Sequence, residues 1–169
     1  MNKITTSCSR YFKVLSFLIL ISLKGITQIP AQTIPDFTFF RLDKTPFSNN
    51  NLEHGKKLFF IFFDSDCEHC QRAVSFINGH YKEFKNIPIY LITLDDQNKI
   101  NGFIKKYANK LKGKKEVTFL QDKQYQFINK FQPKRYPSMF LYSSEGKLID
   151  YEDNDQSVFR FIKLINENQ

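Results

Sequence analysis

The feature that most restricts how this chain can fold is an unbroken run of six large apolar residues at positions 58–63. A run without alternating polar positions is typical of a strand that is buried on both faces. The segment that follows carries a different pattern, in which apolar residues repeat at helical spacing: Cys70, Ala73, Val74, Ile77 and Tyr81. The two patterns together predict a buried strand followed directly by an amphipathic helix.

Two cysteines, Cys67 and Cys70, lie where this strand would meet the helix. Cys70 belongs to the apolar stripe and is predicted to face the core, whereas Cys67 falls at the start of the helix. Unpaired backbone N–H groups and the positive end of the helix dipole favour a thiolate at that position. We therefore expect Cys67 to attack a disulfide and Cys70 to resolve the mixed disulfide. No cofactor is expected, because the dithiol carries both electrons.

The first 31 residues have the composition of an export signal. Lys3, Arg10 and Lys13 make a basic start, residues 14–23 form an apolar stretch, and small and polar residues lead to Ala31. The stretch is shorter than the roughly 20 apolar residues that a membrane-spanning helix needs, so a cleavable signal peptide is predicted. We expect residues 1–31 to be removed. The remaining domain, residues 32–169, would be periplasmic or otherwise extracytoplasmic, without stable membrane insertion.

Removal of this segment would change the charge and the cysteine count. The segment carries four basic residues and no acidic one, so the formal net charge would fall from +8 to +4. Cys8 would leave with it, and both remaining cysteines would belong to one motif. An exported protein with a single close pair is not a scaffold held by disulfides. Export also argues against nucleic acid as the partner of the lysine-rich stretch at residues 105–115.

The rest of the chain alternates between strand and helix patterns. Further strands are predicted at residues 37–42, 45–47, 89–94, 117–120, 139–142 and 147–151. Helices are predicted from Cys67 to residue 79 or 84, and at residues 97–111, 125–131 and 158–165. This order indicates an α/β fold with a mixed central β-sheet flanked by helices and an extra N-terminal β-hairpin.

These elements, the CxxC motif and a correctly spaced proline resemble the thioredoxin superfamily, in particular its TlpA-like branch of exported thiol–disulfide oxidoreductases. The resemblance covers roughly residues 33–169. In this family a cis-proline begins the strand after the third helix, which matches Pro137. The resemblance implies a thioredoxin-like fold, a site shaped by Pro137, and substrate contact at Tyr136. It also implies protein thiols and disulfides as partners, with an upstream thiol electron donor.

Three positions depart from the pattern of the family. Asp66 stands where many members have tryptophan, Ile61 where thioredoxin has a buried aspartate, and Ala73 where several TlpA-like members have glutamate. The usual acid–base helpers are therefore missing.

His69 and Glu68 lie between the two cysteines and are candidate tuning residues. A protonated His69 would stabilise a Cys67 thiolate, whereas Glu68, together with Asp64 and Asp66, would work against it. These effects leave the direction of exchange open. The resemblance and the three acids favour a reductase.

Other functions are compatible with parts of the pattern. The chain could be a thioredoxin-fold binding module that has lost efficient exchange, or its dithiol could bind a metal. A structural zinc site needs four ligands, and besides His69 the chain has only His54 and His80, so no metal is expected. Peroxiredoxins need proline, and threonine or serine, at fixed distances before their peroxidatic cysteine. This chain has Phe60 and Asp64 at those positions, so a peroxiredoxin is not expected.

Overall fold

The computed structural model describes residues 28–84 and 87–167. Its strands are β1 (Thr38–Arg41), β2 (Pro46–Ser48), β3 (Leu58–Phe62), β4 (Ile89–Thr93), β5 (Val117–Gln121), β6 (Ser138–Tyr142) and β7 (Leu148–Glu152). All seven form one sheet in the order β2-β1-β5-β4-β3-β6-β7. The predicted mixed sheet and the N-terminal hairpin, β1–β2, are both confirmed.

The α-helices of the described residues are α1 (Glu68–Gly79), α2 (Gln97–Tyr107) and α3 (Val158–Asn166). Strands β3, β4 and β5 are parallel and are joined through α1 and α2. Crossovers between parallel strands are right-handed, and both steps move in the same direction across the sheet, so α1 and α2 lie on one face. Helix α3 packs on that face as well.

The opposite face of the sheet is covered largely by aromatic side chains. A π-helix, Phe127–Phe131, lies between β5 and β6 and places both of its terminal phenylalanines in this layer. The rings of Phe127 and Phe131 are stacked, with centroids 4.2 Å apart. The cluster also buries Phe37, Phe39, Phe47, Phe60, Phe62, Tyr90, Phe140 and Tyr142.

The side chains of residues 58–63 are divided between these two layers. Leu58, Phe60 and Phe62 enter the aromatic layer. Phe59, Ile61 and Phe63 enter the layer beneath the helices. Because both layers are apolar, the run needs no alternating polar residue, as its sequence predicted.

The bounds of the first two α-helices depart from the prediction at two places. Cys67 is the residue before α1 rather than its first residue, whereas α1 ends at Gly79, the first of its two predicted ends, and a separate 3₁₀-helix follows at Tyr81–Phe84. Helix α2 ends at Tyr107 although the apolar spacing continues to residue 111. After this end, the Lys110 backbone N–H donates to the side chain of Asn78 on α1. That contact replaces a further helical turn.

The segment before β1 is hydrogen-bonded to the domain. The Ala31 N–H donates to the Phe131 carbonyl (2.9 Å), and the Ala31 carbonyl accepts from the Tyr142 hydroxyl (3.0 Å). Residues 1–27 of the predicted signal lie outside the described residues, and its cleavage near Ala31 stays a prediction. Among the helices of residues 28–84 and 87–167, none is long and apolar enough to cross a membrane.

Replacing Phe60 with alanine tests the aromatic layer. Phe60 is fully buried, with ring centroids 4.9 Å from Tyr90 and 5.6 Å from Phe131. We expect the free energy of unfolding to fall by about 3–5 kcal/mol, the usual range for a phenylalanine removed from a core. Urea denaturation measures this change. The control is Phe159→Ala, at a side chain that is largely exposed, with an expected change below about 0.5 kcal/mol. Equal losses would contradict the assignment.

Candidate active site

Cys67 and Cys70 lie together where β3 ends and α1 begins. Cys67 is the N-cap residue of α1, with extended backbone angles (φ −78°, ψ 116°), and is partly exposed. Cys70 is fully buried on the face of α1 that packs on the sheet. Both are free thiols, and Cys67 packs against the core cluster that contains Cys70. The pair therefore consists of one thiol that solvent can reach and one that it cannot.

Burial raises the pKa of the Cys70 thiol, because a low-dielectric interior disfavours the charged thiolate. A hydrogen bond with the Asp64 backbone acts in the opposite direction, and the neighbouring Cys67 and the charge of Asp64 raise the pKa further. Cys70 is therefore a neutral thiol at physiological pH.

Asp95, just beyond the end of β4, holds the turn that carries the dithiol. One of its carboxylate oxygens accepts hydrogen bonds from the Ser65 backbone N–H (2.9 Å) and the Thr93 hydroxyl (3.0 Å). Burial acts to raise the pKa of Asp95, but these hydrogen bonds and the charge of Lys99 outweigh it, so the pKa is lowered. Asp95 is thus an anion that ties the turn before Cys67 to the neighbouring strand.

Lys99, on the first turn of α2, compensates part of the acidic charge beside the dithiol. Its Nζ lies 2.6 Å from the Asp66 carboxylate and 3.8 Å from that of Asp95. Asp66 and Lys99 are both largely exposed, so water screens their attraction. The acid that directly precedes Cys67 is nevertheless paired with a cation.

Three side chains that we call the Asp155 cluster flank the first turns of α1: His69, Arg72 and Asp155. Arg72 Nε donates to one Asp155 oxygen (2.7 Å), and His69 Nδ1 lies 2.8 Å from the other. Arg72 Nη2 also approaches Nδ1, at 2.7 Å. A ring nitrogen either donates or accepts, so protonation of Nδ1 decides whether His69 bonds to Asp155 or to Arg72.

Asp155 is the buried anion of this cluster. Its side chain is only 9% exposed. Burial acts to raise its pKa, but hydrogen bonds with His69 and Arg72 lower it more, so the pKa falls below the ordinary value. Glu68, the other predicted tuning residue, points into solvent 3.8 Å from Arg72. The structure therefore places both predicted tuning residues, His69 and Glu68, next to a common cation.

Tyr136 and Pro137 lie at the same end of the sheet as the dithiol. Their peptide bond is cis, as predicted. Ser138, which follows, pairs with Phe62 at the end of β3. The Tyr136 ring packs on Phe62 with centroids 4.8 Å apart and contacts both core layers. Burial, with a smaller contribution from the Asp64 charge, raises the pKa of Tyr136 to about 12. Their contact with a substrate stays a prediction.

Sequence reasoning missed four residues of this site. Asp95 could have been found, because the carboxyl ends of adjacent parallel strands meet at one edge of a sheet and Asp95 follows β4. Lys99 lies one helical turn beyond it. The pairing of Arg72 with Asp155 had no such signal, since 83 residues separate them and only the return of the chain after β7 brings them together.

The remaining histidines lie away from the dithiol. His54 is exposed in the loop before β3, at the other end of that strand. His80 caps the far end of α1, and its Nδ1 lies 2.9 Å from the Phe76 carbonyl oxygen. Within the part of the chain that the structure describes, no three His, Cys, Asp or Glu side chains are grouped so that they could hold a metal ion.

A dithiol at the start of the helix after strand β3, with a cis-proline before β6 at the same end of the sheet, defines a thioredoxin-like protein, and the predicted superfamily is confirmed. Residues 30–151 match the model of the AhpC/TSA family. The chain belongs to that family, whose members include thiol–disulfide oxidoreductases and peroxiredoxins. No curated protein matches it.

Solved structures share the fold across most of the chain. A secreted Mycobacterium tuberculosis disulfide oxidoreductase homologous to Escherichia coli DsbE is 18% identical, with a TM-score of 0.62 over 76% of this chain and 95% of that one. The thioredoxin domain of a Bacteroides vulgatus thiol–disulfide oxidoreductase is 17% identical, with a TM-score of 0.65 and coverages of 82% and 99%. Peroxidoxin BcpB from M. tuberculosis is 15% identical, with a TM-score of 0.66 and coverages of 83% and 97%. At these identities the likeness concerns the fold.

Replacing Asp95 with alanine should destabilise the protein in a pH-dependent way. At pH 7 we expect a loss of about 1.5–3 kcal/mol in the free energy of unfolding, the usual value for hydrogen bonds to a charged group. The pKa of Asp95 is lower in the folded than in the unfolded state. Its contribution is therefore complete above the unfolded pKa of about 4 and is lost as the pH falls through the folded pKa.

Urea denaturation of wild type and Asp95→Ala at pH 7 and near pH 3 measures this difference. Asp36→Ala, at an exposed carboxylate, is the matched control and should change the free energy of unfolding at pH 7 by less than about 0.5 kcal/mol. A difference between Asp95→Ala and wild type that is the same at both pH values would show that the charge of Asp95 contributes nothing.

Proposed function

We propose that this protein is an exported thiol–disulfide oxidoreductase in which Cys67 attacks and Cys70 resolves. The observation that carries the proposal is the unequal exposure of the two sulfurs: Cys67 is partly exposed at the N-cap of α1, and Cys70 is fully buried beside it. Membership of the AhpC/TSA family supports an enzymatic role. The composition of residues 1–31 and the secreted structural neighbour support export.

The exchange would proceed in two balanced steps. The Cys67 thiolate attacks one sulfur of a substrate disulfide, which forms a mixed disulfide and releases one substrate thiolate. Cys70 then loses its proton and attacks the Cys67 sulfur, which releases the second substrate thiolate and leaves a Cys67–Cys70 disulfide. Two electrons pass to the substrate, and a thiol donor upstream returns them. Tyr136 and Pro137, at the same edge, would meet the substrate chain.

Variants that keep one cysteine test the two roles. Cys70→Ser should accumulate mixed disulfides with partner proteins, because no second thiol is present to release the substrate. Cys67→Ser should accumulate far fewer, because the remaining thiol is buried. Non-reducing electrophoresis followed by identification of the trapped partners measures both.

Insulin reduction with dithiothreitol is the control for catalysis. Turnover well above the uncatalysed rate in wild type, and loss of turnover in both variants, is expected. If Cys67→Ser traps as much as Cys70→Ser, the assignment of roles is wrong. If wild type does not accelerate insulin reduction, the protein is instead a non-catalytic thioredoxin-fold binding module.

The charges around the dithiol support a reductive direction. The turns and helices that carry or flank the dithiol hold two permanent cations, Lys99 and Arg72, against five carboxylates: Asp64, Asp66, Glu68, Asp95 and Asp155. An excess of negative charge disfavours a thiolate. A less stable thiolate makes the disulfide a weaker oxidant, so the pair would donate electrons.

Equilibration with glutathione measures the reduction potential and so tests this direction. We expect a value nearer to the roughly −270 mV of thioredoxin than to the roughly −120 mV of the strong oxidant DsbA. A value near −120 mV would overturn the reductive direction in favour of an oxidase, while leaving the exchange itself intact.

A further inference from the structure

The Asp155 cluster lies beside the dithiol without being part of it. His69 and Arg72 follow Cys67 by two and five residues. At a rise of about 1.5 Å per residue both lie within about 8 Å of it along the helix axis. Charges act over roughly 8–10 Å at physiological salt. A free cation at position 72 would therefore stabilise a thiolate at position 67.

The guanidinium of Arg72 is not free but is paired with the carboxylate of Asp155. Arg72 Nε donates to Asp155 at 2.7 Å, and His69 Nδ1 lies 2.8 Å from the second oxygen of the same carboxylate. The pKa of Arg72 is raised chiefly by this hydrogen bond, with smaller contributions from Glu68 and Cys67. An ion pair presents to a third group only the difference between its two opposing fields, which is much weaker than the field of a free cation.

The position of Asp155 in the fold makes this arrangement stable. Asp155 begins the 3₁₀-helix Asp155–Ser157, which leads directly into α3 and packs on α1. Its carboxylate is 9% exposed, whereas Arg72 and His69 are each more than half exposed. The anion is therefore fixed by the fold, and the more exposed Arg72 and His69 side chains extend to it.

We propose that Asp155 is a positioning residue for the dithiol, which holds Arg72 and His69 away from the Cys67 thiolate and so keeps the Cys67–Cys70 pair reducing. The inference rests on the proposed oxidoreductase function and deepens it. Through Asp155, the turn between β7 and α3 would influence the reactivity of two sulfurs at the start of α1.

Asp155→Asn tests this directly, because it keeps the shape of the side chain and removes its charge. With Arg72 no longer compensated, the thiolate of Cys67 should form at lower pH, as followed by ultraviolet thiolate absorbance. The equilibrium constant with glutathione should shift about three- to tenfold toward the reduced dithiol. The disulfide thereby becomes a stronger oxidant.

Arg72→Gln should shift both measurements in the opposite direction, because it removes the cation and leaves Asp155. The double variant should return close to wild type, since neither charge is then present. Asp150→Asn is the matched control: Asp150 accepts two hydrogen bonds from Arg160 (2.7 and 3.2 Å) and is similarly buried, but it lies on β7. It should leave the potential within about twofold of wild type.

The outcomes separate this inference from the function on which it rests. If wild type neither reduces insulin nor equilibrates with glutathione, both fail. If wild type exchanges and Asp155→Asn leaves the equilibrium constant within about twofold, or shifts it toward the disulfide, only the role of Asp155 fails. Should Asp155→Asn not fold, Arg72→Gln decides alone, since a purely structural pair would leave the potential unchanged or move it toward the reduced dithiol.

Discussion

The burial of strand β3 on both faces is the constraint on which the rest of the structure depends. Its residues are large and apolar without exception, so the sheet must be covered on each side. The helices α1, α2 and α3 cover one side, and the phenylalanine-rich layer covers the other. Where the strand ends, the chain turns into α1, so the dithiol comes to lie at the edge shared by both layers. Tyr136, which contacts both, lies at the same edge.

The electrostatics at this edge follow from the topology of the sheet. The parallel strands β3 and β4 end at the same edge of the sheet, and α1 and α2 begin there. The turn after β3 brings Asp64 and Asp66, the turn after β4 brings Asp95, and α2 brings Lys99. Carboxylates outnumber cations there. Asp66 is paired with Lys99 and Asp155 with Arg72, so a single substitution changes the balance of charge near the sulfurs.

Local patterns gave the parts of the fold that depend on neighbouring residues in sequence. The strand at 58–63, the stripe of α1 and the unequal exposure of Cys67 and Cys70 follow from spacing alone. The cis peptide bond at Pro137 followed from resemblance. The predicted end of α2 was wrong. Leu111 is buried, as the apolar pattern requires, but a contact between the Lys110 N–H and Asn78 stands where a further helical turn was predicted. Spacing reports which residues are buried more reliably than it reports the backbone that buries them.

Contacts between distant segments could not be predicted in this way. Nothing in the residues around Arg72 or Asp155 identifies the other, because their meeting depends on where β7 delivers the chain. The residues next to Asp155 in the sequence form no motif that would identify it as a functional acid. The Asp155 cluster is therefore a product of the tertiary structure, and so is its influence on the dithiol.

The partly buried phenol of Tyr136 has an optical consequence because of the composition of the chain. The chain contains no tryptophan, so no indole collects or dominates the emission of its tyrosines. With its pKa raised to about 12, Tyr136 stays protonated throughout the physiological range and does not lose emission to tyrosinate. It packs on the same layer as Cys67 and Cys70. The near-ultraviolet emission of this protein therefore comes from its eight tyrosines alone, and Tyr136 contributes to it as a neutral phenol.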